Sequence, residues 1–122
     1  DAMRVPGAAW RPTFFSPRFD KWAGLRCGGV NLLVTDRAAF RPVLAGVALL
    51  AACLAAFPGE FAWRTDAYEF VKDRLAIDLL LGDPMPRAAL EAGASPHDVV
   101  ASMEVARREF GRVRERYLLY RE

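Results

Sequence analysis

The sequence has 122 residues, of which 53% are hydrophobic and 26% charged, and its formal net charge is +2. This composition excludes a disordered chain and is typical of a folded globular domain. A charge so near neutrality argues against nucleic acid as the main ligand, because that binding depends on many unpaired basic side chains. The length predicts one domain over residues 1–122.

Two extended segments are predicted at the start of the chain. Residues 5–15 indicate an edge or irregular strand, because Pro12 has no N–H to donate to a neighbouring strand. The aromatic-rich residues 16–24 indicate a loop, and the apolar run after it predicts a buried strand over residues 26–35.

A long apolar helix is predicted next. Asp36 is placed to cap the turn before it, Pro42 suits its first position, and the Pro-Gly pair at 58–59 ends it. Residues 43–57 contain no polar side chain except the thiol of Cys53. A helix on the surface of a small domain keeps a polar face, so we expect a second domain or another subunit to cover this one on nearly all sides. With about 15 apolar residues it is too short to span a membrane.

The second half of the chain predicts three further helices. The last begins at Ser95 and Pro96, which suit the cap and the first helical position, and it has one apolar stripe. Its arginines and glutamates surround that stripe and indicate either a balanced, solvated face or a basic strip for an anionic partner. The other elements are a short strand over residues 60–64, a connection over 65–73, and helices over 75–81 and 86–92; the stripe consists of Val99, Met103, Ala106, Phe110, Val113 and Tyr117.

These elements together predict an α+β fold. We expect a small, mainly antiparallel sheet packed by the long apolar helix and by the C-terminal amphipathic helix, as a two-layer sandwich.

The residue types predict no self-sufficient catalytic site. Cys27 and Cys53 are expected to be buried thiols, and a single histidine, His97, without a Cys-x-x-Cys motif gives no basis for a zinc site. We therefore expect no metal and no cofactor. Most acidic residues lie on the last helix or in turns. Glu69 and Asp73 are neighbours in a connection, and a small hydrolase that uses this pair is the weakest hypothesis.

Residues 11–17 and 19–22 have the composition of a contact surface. They combine aromatic rings with hydrogen-bonding groups in predicted loop or edge structure. Aromatic faces beside polar groups suit sugars, whose rings offer apolar CH faces edged by hydroxyls. The alternative interpretation is that these rings seal the core or a domain interface.

The same residues belong to an ordered series of motifs. The series is Pro-Thr-Phe-Phe-Ser-Pro at 12–17, Lys-Trp-Ala-Gly at 21–24, Cys-Gly-Gly-Val at 27–30, Val-Thr-Asp-Arg-Ala-Ala-Phe-Arg-Pro-Val at 34–43, Phe-Ala-Trp-Arg at 61–64, Tyr-Glu-Phe at 68–70, Ala-Ile-Asp-Leu-Leu-Leu-Gly at 76–82 and Tyr-Leu-Leu-Tyr at 117–120. It covers nearly the whole chain and resembles the C-terminal domain of the NamZ-like exo-β-N-acetylmuramidases.

The resemblance implies a two-domain glycoside hydrolase that removes terminal, non-reducing N-acetylmuramic acid from peptidoglycan fragments, in an extracytoplasmic or periplasmic location. In that family a larger N-terminal domain carries the catalytic carboxylates, and a smaller C-terminal domain packs against it and helps to wall the substrate cleft. Residues 1–122 are then an ancillary C-terminal domain whose partners are that catalytic domain and a muropeptide or cell-wall sugar. No catalytic residue is transferred, since none of the matched motifs is the catalytic one.

Four residues are the candidate substrate contacts that follow from this resemblance. Thr13 is expected to be a hydrogen-bond partner, Phe14 a platform for a sugar or an interface, and Lys21 a partner for the lactyl carboxylate of muramic acid. Tyr68 is a further candidate. The alternative function is a free-standing module that dimerises through the apolar helix and binds a protein partner, with no enzymatic role.

Overall fold

The structure is a computed structural model of the chain, and it describes residues 3–120. The chain divides into two compact units. The first, Arg4–Pro42, is called the hairpin unit below; the second, formed by Met3 and residues 43–120 of the described chain, is called the helical unit.

The hairpin unit is a two-stranded antiparallel ribbon. Strand β1 spans Ala8–Phe15 and strand β2 spans Cys27–Val34, with Ala8 opposite Val34 and Phe15 opposite Cys27. Side chains alternate between the two faces of a ribbon, so one face is apolar throughout. That face consists of Ala8, Trp10, Pro12 and Phe14 from β1 and Gly28, Val30, Leu32 and Val34 from β2.

Both predicted strands are confirmed, but the prediction that the second one is buried is wrong. In β2 only Cys27 is half-buried, and the other seven residues are exposed. A two-stranded ribbon has two open faces, and it buries apolar side chains only where another layer packs on it. An apolar run therefore identifies a strand without fixing its burial.

The base of the ribbon is closed by backbone hydrogen bonds at Gly7 and Asp36. The Gly7 carbonyl accepts hydrogen bonds from the N–H groups of Thr35 at 2.8 Å and Asp36 at 3.1 Å. The Asp36 carboxylate accepts from the N–H groups of Ala38 at 2.9 Å and Ala39 at 3.2 Å. These two bonds confirm the predicted cap, because a short carboxylate satisfies donors that the following turn leaves open.

The helical unit contains the helices that the sequence predicts, except that the last predicted helix is divided into two. Helix α1 begins at Pro42 as predicted, and the proline occupies the position where a missing N–H costs nothing. The helices are α1 Pro42–Ala56, α2 Ala76–Leu81, α3 Met85–Glu91, α4 Pro96–Ser102 and α5 Glu104–Arg114, followed by a 3₁₀ turn at Glu115–Tyr117. Together with the antiparallel ribbon they confirm the predicted α+β class.

Three buried residues form the core of the helical unit. Val47 of α1, Leu90 of α3 and Val99 of α4 are 1%, 6% and 1% exposed, respectively. Partly buried apolar residues surround them: Leu50, Ala51, Leu54, Ala89, Ala94 and Val100. The core therefore joins α1 to the α3–α4 pair.

Helix α1 is not covered on nearly all sides within residues 3–120. Leu44, Ala45, Val47 and Ala48 are buried, but Val43 is exposed, as are other residues of its outer side. The expected coverage therefore has to come from outside the described chain, or is absent.

The predicted continuous last helix is wrong, because it breaks at Met103. The Ser102 hydroxyl donates a hydrogen bond to the Val99 carbonyl at 2.7 Å, so it competes for the acceptor that the N–H of Met103 uses in a regular helix. That N–H instead donates to the Val100 carbonyl at 3.2 Å. The apolar stripe splits with the helix: Val99 is buried, whereas Phe110 is exposed.

The predicted strand over residues 60–64 is also wrong, because no strand pairs with this segment within the described part of the chain. Its alternate aromatics, Phe61 and Trp63, instead pack edge to face with ring centroids 4.8 Å apart. The two cysteines, predicted to be buried, are half-buried free thiols. No helix among residues 3–120 is long and apolar enough to cross a membrane.

Candidate functional site

The loop between β1 and β2 holds two non-glycine residues in the left-handed region. Asp20 has a φ of 63° and Trp22 a φ of 62°, and Gly24 follows with a φ of 78°. A bulky side chain rarely adopts this backbone conformation, which costs about 1–3 kcal/mol. The N–H of Gly24 donates to the Pro17 carbonyl at 2.9 Å and closes the loop. The ring of Trp22 remains 68% exposed.

Phe14 and Arg26 form a cation–π pair at the start of the same loop. The guanidinium carbon of Arg26 lies 4.1 Å from the centroid of the Phe14 ring. Phe14 pairs with Gly28 across the ribbon, and Cε1 of its ring would lie in ordinary contact, at 3.7 Å, with a Cβ added to that glycine. Phe14 nevertheless stays 68% exposed. The guanidinium lies over one face of the ring, and the ring stays largely open to solvent.

The structure brings together some of the predicted contact residues and not others. Thr13, half-buried, neighbours Phe14 in β1, so the two side chains lie on opposite faces of the ribbon. Lys21 is exposed in the loop, between the two residues with positive φ. Tyr68 belongs to the helical unit, where its backbone pairs with Val71 in an isolated bridge. The hairpin unit thus contains three of the four candidates.

Glu69 and Asp73, the acidic pair of the weakest hypothesis, lie in and just after an exposed turn. Glu69 and Phe70 have φ values of 48° and 68° in a tight turn between Tyr68 and Val71. Both acids are exposed, and the Phe70 ring between them is 97% exposed. Among residues 3–120, no three His, Cys, Asp or Glu side chains lie close enough to hold a metal ion.

A polar network that the sequence did not predict lies in the helical unit. The Arg87 guanidinium donates to both carboxylate oxygens of Asp78, at 2.7 and 3.2 Å, and to both of Glu91 at 3.1 Å. The indole of Trp63 donates to Glu91 at 2.7 Å. Hydrogen bonds from Arg87 to Asp78, and secondarily to Glu91, raise the pKa of Arg87 above its usual range. The spacing of Arg87 and Glu91, four residues apart in a predicted helix, is the sequence signal that indicates this ion pair.

This network has a structural role, because its arginine is already neutralised by two carboxylates. The network connects α2, α3 and the segment that contains the edge-to-face pair Phe61 and Trp63. Nearby, the end of α1 and the α3–α4 connection line an open groove of about 530 Å³. Its lining is mostly apolar, and the hydroxyl of Ser95 in it is occupied by Asp98, to which it donates at 2.6 Å. The groove therefore presents little polar chemistry to a ligand.

Comparison with known proteins identifies the family to which the sequence of this chain is similar. The family model described as "Exo-beta-N-acetylmuramidase NamZ, C-terminal" matches residues 1–120. The peptidoglycan beta-N-acetylmuramidase NamZ of Bacillus subtilis (strain 168) is 31% identical over 120 residues, which are 98% of this chain and 27% of that protein. The chain thus spans about a quarter of the length of this curated relative. No solved structure matches it. The chain belongs to the family of NamZ C-terminal domains.

Proposed function

We propose that the chain is the ancillary C-terminal domain of a glycoside hydrolase that removes terminal, non-reducing N-acetylmuramic acid from peptidoglycan fragments. The family match over residues 1–120 is the observation on which this proposal rests. In this role the chain is not catalytic by itself, and it forms part of the wall of the substrate cleft.

The hairpin loop is the part of the domain that contacts the sugar in this proposal. Phe14 offers an exposed ring for the apolar face of a pyranose, and Arg26 above it adds a cation. Lys21 binds the lactyl carboxylate in this proposal. Thr13, on the other face of the ribbon, and Tyr68, in the helical unit, are not part of this surface. The open, solvent-facing position of the Phe14 ring supports this assignment, since a ring that seals a core is covered.

A catalytic N-terminal domain of the same protein is the proposed partner. The chain exposes apolar side chains on the strand and the helix that its sequence marks as most apolar, among them Leu32 and Leu33 in β2 and Val43 in α1. The exposed apolar side chains on one face of β2, Val30, Leu32 and Val34, form the kind of surface that marks an interaction site. The matched residues are 27% of the curated relative, and a protein of that length has a further region large enough to include the proposed partner.

Replacement of Lys21 in the intact enzyme tests the proposed site. Lys21→Ala should raise KM for a soluble muramic acid glycoside about two- to fivefold, the value of one exposed ion pair, with little effect on the fold. Lys72→Ala is the matched control, because Lys72 is also exposed and is the other lysine in the chain. An unchanged KM for Lys21→Ala removes Lys21 from the site.

Sedimentation of the isolated chain separates this function from the dimerising module. A severed domain is expected to be a monomer that self-associates without a fixed stoichiometry, because its apolar surface lacks its partner. A stable, soluble, symmetric dimer would instead favour the free-standing interaction module.

A further inference from the structure

Helix α5 exposes an apolar stripe to which the proposed function assigns no partner. Phe110 and Val113 in the helix are 66% and 51% exposed, and Tyr117 in the 3₁₀ turn that follows is 78% exposed. The apolar side chains continue past the turn, where Leu119 is 91% exposed. Helix α5 and the residues that follow it, 104–120, are called the α5 segment below.

A helix as short as α5 needs a covering layer to be stable. It has 11 residues, and isolated helices shorter than about 12–15 residues are marginal in water, because the first turn is costly to form. Helices in proteins gain most of their stability from burial of an apolar face. In the described chain α5 has no buried residue. The stripe therefore requires a partner outside the described chain.

Arginines border the apolar stripe on both sides. At about 100° per residue, Arg107 and Arg114 lie along one edge of the stripe. Arg112 and Arg116 lie toward the other edge. Of the three acids in the α5 segment, only Glu109 lies beside the stripe, and the other two lie on the opposite face of the helix. The segment has five basic and three acidic side chains, which gives a formal charge of +2.

The arginines in the second half of the α5 segment are available to a ligand. Within residues 3–120, Arg112, Arg114 and Arg116 form no salt bridge. Arg107, by contrast, donates to the Glu104 carboxylate at 2.7 Å. The three unpaired arginines fit the interpretation of a basic strip for an anionic partner more closely than that of a balanced, solvated face.

We propose that the α5 segment lies in the surface of a lipid bilayer that contains anionic phospholipids. Phe110, Val113 and Tyr117 enter the boundary between headgroups and acyl chains, and the guanidinium groups of the bordering arginines stay among the headgroup phosphates. Tyrosine suits this depth, because its ring is apolar and its hydroxyl is polar. A helix that lies in the surface does not have to span the membrane, so 11 residues are enough. This inference goes beyond the proposed function.

The charge of the α5 segment favours an anionic surface over a protein partner. A second copy of the chain would bring one segment of charge +2 against another, and the arginines at the edges of the two stripes would repel. The surfaces proposed to contact the catalytic domain, on β2 and α1, have no charged side chain. The α5 segment differs from them because unpaired cations border its apolar residues.

Flotation of the intact protein with lipid vesicles tests the inference. Vesicles of phosphatidylcholine and phosphatidylglycerol in equal parts should bind the protein more tightly than vesicles of phosphatidylcholine alone, and salt should weaken that binding. Arg112→Gln/Arg114→Gln should weaken binding to the anionic vesicles about thirtyfold, at about fivefold for each arginine near an anionic surface. The control Lys72→Gln/Arg74→Gln removes the same charge from another exposed part of the helical unit and should stay within about twofold.

A second pair of variants tests the apolar contribution. Phe110→Gln should weaken binding to the anionic vesicles about tenfold, because its ring no longer enters the acyl boundary. Phe70→Gln is the matched control, since it removes a ring that is 97% exposed in a turn of the same unit, and it should stay within about twofold. Far-UV circular dichroism of each variant checks that the fold is intact.

The inference is overturned if the intact protein binds neither kind of vesicle, or if the variants and their controls lose binding equally. A marked fall in the Tm of the intact protein on Phe110→Gln, without vesicles, would overturn it in favour of a catalytic domain that covers the stripe. A dimer that Phe110→Gln dissociates in sedimentation would overturn it in favour of a second copy. None of these results bears on Lys21, so the test of the proposed function stands apart.

Discussion

Leu90→Ala tests whether the packing of α1 against the α3–α4 pair holds the helical unit together. Leu90 is 6% exposed and shares a hydrophobic cluster with Val47 and Val99. The substitution removes three carbon atoms, which corresponds to about 2.4 kcal/mol of lost burial at about 0.8 kcal/mol each. The void adds a further cost, but Leu90 also borders the open groove of about 530 Å³, so water reaches part of it.

We therefore expect a loss of about 2–3 kcal/mol in the free energy of unfolding, in the lower part of the range for Leu-to-Ala changes in cores. For a chain of this length that loss lowers Tm by about 6–15 °C. Thermal unfolding followed by the helical circular dichroism signal measures it, because the helices of the described chain lie in the helical unit apart from the first residue of α1.

Leu119→Ala is the matched control, since it removes the same atoms from a side chain that is 91% exposed. It should change Tm by no more than about 2 °C, the equivalent of about 0.5 kcal/mol. Equal shifts for the two variants would refute the reasoning, because they would mean that the three-residue cluster is not the core of the cooperative unit.

Three further substitutions test other parts of the structure. Gly7→Ala should destabilise the hairpin unit more than Gly24→Ala. Both glycines have a positive φ, which costs an alanine about 1–2 kcal/mol, but only at Gly7 would the new Cβ clash with neighbouring backbone. Limited proteolysis compares the two variants, and equal resistance would contradict the close approach at Gly7. Asp78→Ala should lower Tm more than Asp66→Ala, because Asp78 pairs with the mostly buried Arg87, whereas Asp66 pairs with the exposed Arg64 at 3.5 Å. Thermal unfolding followed by circular dichroism compares the two variants. Phe110→Gln should leave Tm nearly unchanged and reduce binding of a hydrophobic dye, because the Phe110 ring is 66% exposed; an unchanged dye signal would show that the stripe of α5 is not the accessible surface.

Local signals explain what the sequence predicted about the fold. The cap at Asp36 and the proline at the first turn of α1 act within a few residues of themselves, so they were readable without a structure. The break at Met103 depends on the rotamer of Ser102, which competes with the helix only once its hydroxyl turns inward. The segment with Phe61 failed as a strand because a strand needs a partner, and pairing is a non-local property.

The candidate site was predictable in composition and not in geometry. The cluster of aromatic and basic residues around Phe14 is visible in the sequence. The position of Arg26 above the Phe14 ring depends on the strand register that sets Phe14 opposite Gly28. The left-handed conformation of Trp22 is likewise set by closure of the loop, against the preference of the residue.

The exposed surfaces of this domain differ in chemistry, and the partners proposed for them differ accordingly. Helix α1 has no charged side chain, so its exposed residues attract a partner only through apolar burial, which salt does not weaken. The hairpin loop has three cations beside open rings, so its attraction to an anionic ligand falls as salt rises. A polar substitution at Val43 should therefore weaken association with the proposed catalytic domain at every salt concentration, whereas Lys21→Ala should raise KM mainly at low salt. Opposite salt responses in the two experiments would contradict this division of roles.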